Sequence, residues 1–123
     1  VRFVGSISYA DMPLWLNLAQ IVVMAPRSDG MPNTLLEAMA CGAFPVLGRL
    51  PQYEEIIESG RNGLLVDSCA RAISEALQEA LGNAALRRSA ARRNLELMEA
   101  SGSQDREMMR MEQWYDQLRG NAA

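Results

Sequence analysis

The sequence predicts an α/β fold: a three-layer arrangement of about four parallel strands with helices on both faces, followed by a helical C-terminal tail. Three observations carry this. Short continuous apolar runs rich in β-branched residues recur through the first two-thirds of the chain, as strands covered on both faces require. Helical stretches opened by proline or closed by glycine alternate with them, and repeated strand, helix, strand implies right-handed crossovers and parallel pairing. After Val66 the composition shifts to Ala, Arg, Glu, Leu and Met, which favours helix to the end.

In chain order, Val1 to Val4 is the first expected strand and Met12 to Leu18 a short helix. Ile21 to Ala25 follows as a strand, then a helix from Thr34 to Cys41 stopped by Gly42. Ala43 to Leu47 is the third strand, Pro51 to Glu58 a helix stopped by Gly60, and Gly63 to Val66 the fourth strand. Ala72, Ile73, Ala76, Leu77, Ala80 and Leu81 form one apolar helical face before a turn at Gly82 and Asn83. Ala84 to Ala100 is a polar helix, Ser101 to Ser103 breaks it, and Met108, Met111, Tyr115 and Leu118 mark a last amphipathic helix. With Trp114 these residues suit packing onto the sheet or a partner surface. The 123 residues, 49% of them hydrophobic, suffice for a single domain over 1–123.

All twelve basic residues are arginine, since the chain contains neither lysine nor histidine. That excludes a Schiff base, a Walker A phosphate loop, an imidazole-dependent triad and a histidine metal ligand. The net charge of −3 is spread over both halves, so no nucleic-acid partner is expected. Cys41 and Cys69 lack metal or redox spacing and suit buried reduced thiols, so no metal is expected. The longest apolar stretch is broken by Gly42 and Pro45 and falls short of the ~20 residues of a membrane span. Arg87, Arg88, Arg92 and Arg93 precede Glu96 and Glu99, which favours a solvated face with local ion pairs over an anion site.

The segment Pro26 to Ala40 places a glycine-containing turn between the carboxyl end of a buried strand and the start of a helix, where open parallel sheets bind ligands. A helix starting near Thr34 aims unpaired amides and its positive dipole end into that crevice, which suits phosphate. Asp29 and Glu37 add acceptor carboxylates for hydroxyls, so a nucleotide sugar is a fitting ligand. The same residues have a structural explanation of equal standing: Thr34-x-x-Glu37 is a capping box and Asp29-Gly30 an ordinary turn. Arg49, after the third strand, either faces a phosphate or is an exposed loop arginine.

Asp29, seven residues and Glu37, then Ala38-Met39-Ala40-x-Gly42, Glu54-x-Ile56 and Asn62-Gly63-Leu64-Leu65-Val66, together resemble the C-terminal donor-binding domain of the group 1, family 4 glycosyltransferases of the GT-B fold. The resemblance runs from Val1 to about Asp67. It implies a partial Rossmann-like donor-binding unit over 1–67 followed by C-terminal helices over 68–123. By this resemblance Glu37 binds the donor ribose and Asp29 is the catalytic-site acid beside the transferred sugar. Backbone around Gly30, Met31, Pro32, Asn33 and Thr34 holds diphosphate and sugar, and Glu54 lies near the donor. The implied reaction is retaining, with no cofactor and no metal.

Three departures separate this chain from the family's pattern. Asp29 stands where the family has glutamate, one methylene shorter. The family's diphosphate-neutralising Arg and Lys fall upstream of the matched region, as do the acceptor domain and the first two strands of the donor domain. The isolated chain is therefore expected to be an inactive fragment. Its partners are expected to be a nucleotide-sugar donor and, across an exposed sheet edge, either the missing N-terminal acceptor domain or a self-association partner. The expected location is the cytoplasm, with a peripheral membrane position open for the full-length enzyme. The alternative is a non-catalytic Rossmann-like interaction or assembly module; a nucleotide-sugar epimerase ranks last, because its catalytic carboxylates and histidine have no place here.

Overall fold

The computed structural model describes residues 1–101, so the expected last helix with Met108, Met111, Trp114, Tyr115 and Leu118 lies outside the described residues. The order is α1 (Met12–Leu18), β1 (Ile21–Met24), α2 (Asn33–Ala40), β2 (Phe44–Gly48), α3 (Pro51–Glu54), β3 (Leu64–Val66), α4 (Ala70–Gly82) and α5 (Ala84–Ser101). The strands form one parallel sheet in the order β1-β2-β3, in a register that sets Ile21 beside Phe44 and Val46 beside Leu64.

The central strand explains the layering. Every residue of β2 is buried, because alternate side chains enter two different cores. Phe44 and Val46 pack with Leu64, Ala76, Ala80 and Ala90, which seats α4 on one face. Leu47 packs with Leu35, Met39, Tyr53, Ile57, Leu65 and Met98, which seats α2, α3 and the distal part of α5 on the other. A smaller cluster of Leu16, Ala38 and Ala43 fixes α1 against α2. Gly42, at φ 80, takes the left-handed conformation that ends α2 and turns the chain into β2.

Four expectations change. Residues 1–8 carry no strand, and Phe3 is 94% exposed, so the sheet has three strands among the described residues. A strand needs a neighbour to pair with, and Val1 to Val4 find none among the described residues. Among the described residues β1 consequently has β2 on one side only. The helix expected over Pro51 to Glu58 stops at Glu54, because Asn62 captures the next groups: its Oδ1 accepts the Glu58 amide at 2.7 Å and its Nδ2 donates to the Ile56 carbonyl at 2.9 Å.

The thiols are the third difference: Cys41 is half-buried, whereas Cys69 is exposed in the turn that precedes α4. The fourth lies on α5, where charges reach off the helix. Arg93 bonds Glu58, which also pairs with Arg61 at 2.7 Å, and Arg87 donates to the Ala80 and Leu81 carbonyls at the end of α4. Glu58 lies between α3 and β3 and the carbonyls belong to α4, so these arginines meet acceptors from neighbouring elements.

Candidate functional site

The carboxyl end of β1 opens into an exposed loop, Arg27 to Gly30, that leads to the start of α2. Close packing beneath it depends on Gly48 at the end of β2. A methyl group there would come within 3.2 Å of the Ala25 Cα and 2.2 Å of the Ser68 Oγ, so the segments following all three strands converge on that point.

The helix begins one residue earlier than expected, with Pro32 at the cap and Thr34 already inside the first turn. Thr34 therefore makes no side-chain cap bond, and the capping box is not formed. The amides of Asn33 and Thr34 have no protein acceptor among the described residues, while those of Leu35 and Leu36 bond the Pro32 carbonyl at 3.0 and 3.4 Å. Within the expected amide set, Pro32 has no N–H, and the Gly30 amide is taken by Asp29 Oδ1 at 2.8 Å. Met31 turns its side chain toward the core that contains Leu35 and Met39.

Asp29 and Glu37 occupy different flanks of α2. Asp29 faces α3: its Oδ2 accepts the Tyr53 hydroxyl at 3.1 Å, and its backbone carbonyl accepts Gln52 Nε2. The Tyr53 ring is fully buried. Burial, then the hydrogen bond to Asp29 and its charge, raise the phenol above its ordinary pKa of 10.0, so near neutral pH it is a hydrogen-bond donor. Glu37, half-buried, instead lines a cavity of about 210 Å³ with Tyr9, Met12, Pro13, Leu16, Ala40 and Cys41. One carboxylate thus stands in an exposed loop and the other beside an apolar concavity.

Arg49 pairs with Glu54 at 3.0 Å and donates to the Leu65 carbonyl at 3.1 Å. Glu54 is engaged by the same contact, and Glu55 is exposed. Arg27, exposed and without an ion pair among the described residues, is the cation carried by the site loop itself. Sequence reasoning missed Tyr53, Gln52 and Tyr9. The Pro51 helix start was visible, but nothing local signals that its second and third residues face Asp29, 23 and 24 positions away.

No group of three or more Cys, Asp or Glu side chains suited to a metal occurs among the described residues, and no helix there is long and apolar enough to cross a membrane.

A D-inositol 3-phosphate glycosyltransferase of Pseudarthrobacter chlorophenolicus is 39% identical over 57 residues, a stretch covering 46% of this chain and 14% of that protein. The chain thus matches a small part of that relative's length. The family model described as "Glycosyl transferases group 1" matches residues 1–83, a span that includes the β1–α2 loop, Asp29, Glu37 and the α3 contacts. With that match extending over 83 of 123 residues, the chain belongs to the group 1 glycosyl transferases.

Proposed function

We propose that this chain is the part of a retaining GT-B glycosyltransferase that binds a nucleotide-diphosphate sugar. The observation that carries this reading is the amide pair of Asn33 and Thr34 at the start of α2, which has no acceptor among the described residues and is flanked by Asp29 on one side and the Glu37 cavity on the other. Helix amides without protein acceptors suit the diphosphate, and the dipole end adds positive character. Arg27 supplements it from the loop. Glu37 takes the ribose hydroxyls, and the apolar walls from Tyr9, Met12 and Leu16 give the nucleobase a surface to rest on.

Asp29 accepts hydroxyls of the transferred sugar and supports positive charge at its anomeric carbon. The backbone of Gly30, Met31 and Pro32 shapes the turn between Asp29 and the free amides. The reaction is taken as metal-independent and the chain by itself as inactive, because a transferase also needs an acceptor surface opposite the donor. The edge of β1 that has no partner strand among the described residues, where Val23 is 42% exposed, is where a strand of a longer protein or a second copy would add. Light scattering on the isolated chain decides for or against the second copy.

Calorimetric titration with UDP-glucose, GDP-mannose and ADP-glucose tests the donor site. One of them should bind, and Glu37→Gln should weaken it about tenfold through loss of a charged acceptor. No binding at millimolar ligand, or unchanged binding by the variant, rejects the donor site and favours the interaction module.

A further inference from the structure

The contacts of Asp29 extend the donor-site reading, on which this inference rests. Asp29 belongs to an exposed loop, where a carboxylate ordinarily samples several rotamers. Here all its acceptor groups are engaged: Oδ1 by the Gly30 amide at 2.8 Å, Oδ2 by the Tyr53 hydroxyl at 3.1 Å, and the backbone carbonyl by Gln52 Nε2. The last two contacts come from consecutive residues of α3, one turn of helix that begins at Pro51.

The far end of this clamp is packed in the core. The Tyr53 ring is buried in the core cluster with Leu35, Met39, Leu47 and Leu65, which includes the central strand and α2. Its hydroxyl is therefore a donor held in place by the packing of the whole sheet. A buried hydroxyl needs a partner, and Asp29 supplies it from the solvent side.

We infer that Tyr53 and Gln52 are positioning residues that hold the Asp29 carboxylate in the orientation in which it meets the transferred sugar. Neither touches the donor. Each carboxylate oxygen of Asp29 keeps a further lone pair for a sugar hydroxyl after accepting its protein donor. The clamp removes rotamer freedom before the ligand arrives, so that cost is not charged to binding.

The test compares wild type with Tyr53→Phe, which keeps the ring and removes the hydroxyl, and with Gln52→Leu, which loosens the loop from the more exposed side of α3. Two measurements are made. In the free protein, amide relaxation should show Gly30 becoming more mobile in both variants while Val46 and Leu65 keep their rigidity. In titrations, affinity for the nucleotide sugar should fall about tenfold, the scale of one charge-assisted hydrogen bond, while affinity for the matching nucleoside diphosphate stays within about twofold.

A purely structural role would move both ligands together or neither. Unchanged Gly30 mobility in both variants overturns the clamp whatever the ligand result, as does an equal loss for sugar nucleotide and diphosphate. If wild type binds no sugar nucleotide but the variants loosen Gly30, the donor-site reading fails and the clamp stands only as a loop anchor, so the positioning role is rejected.

Discussion

Replacing Asn94 by alanine is the perturbation that most directly tests how the molecule is held together. Asn62 and Asn94 are at most 1% exposed and satisfy one another: Asn62 Nδ2 donates to Asn94 Oδ1 at 3.0 Å, and Asn94 Nδ2 donates to the Asn62 carbonyl at 2.9 Å. Asn62 also accepts the Glu58 amide and donates to the Ile56 carbonyl. Asn94→Ala removes two bonds, at about 1 kcal/mol each, and leaves one carbonyl and one amide hydrogen buried without partners.

Adding the desolvation of those stranded groups gives a loss of about 2–4 kcal/mol. That is a large part of the ~5–15 kcal/mol typical of a domain. Urea unfolding followed by circular dichroism should show a lower midpoint at unchanged slope. The double variant Asn62→Ala with Asn94→Ala should cost less than the sum of the single changes, because the pair shares its bonds. A loss below about 0.5 kcal/mol for Asn94→Ala would refute the reasoning, since it would mean that water or repacking satisfies those groups at little cost.

Gly48→Ala should cost about 1–3 kcal/mol, because the Ser68 hydroxyl can rotate away but the Ala25 backbone has to shift. Its NMR spectrum should show displaced resonances through the β1–α2 loop, and Ser68→Ala should recover only part of the stability. On the alkaline side, the raised pKa of Tyr53 contributes stability that is full below 10.0 and disappears as pH rises through the higher folded value. Tyr53→Phe should therefore lose less stability above pH 10.0 than wild type.

On the acid side, hydrogen bonding from Arg61, aided by Arg93, lowers Glu58 below 4.5. Its contribution is present above that pH and is lost as pH falls through the lower folded value. Glu58→Gln should remove that acid dependence. High salt should weaken it too, since Glu58 is exposed.

Most elements were legible because their signals are local. The run Ile21 to Met24, the glycine stop at Gly42 and the proline start at Pro51 each encode their conformation within a few residues. The site loop was legible for the same reason, as a turn between a strand's carboxyl end and a helix start. Thr34 misled because a capping box and an ordinary first turn share one sequence pattern, and the start of α2 is decided by Pro32. Val1 to Val4 has the composition of a strand but no neighbour to bond among the described residues, which its own residues cannot reveal.

The sequence by itself therefore determined the alternation of helices and strands from α1 to α5, the parallel sheet, the arginine-only chemistry and the turn between the end of β1 and the start of α2. Only the tertiary structure decided which groups face one another. It shortened α3 through Asn62, turned Arg49 onto Glu54, and placed Tyr53 under Asp29. The physical reason is range. Periodicity and turn chemistry act over a few residues, whereas Tyr53 reaches Asp29 across 24 positions and Asn94 reaches Asn62 across 32, contacts that exist only once the sheet has brought distant segments together.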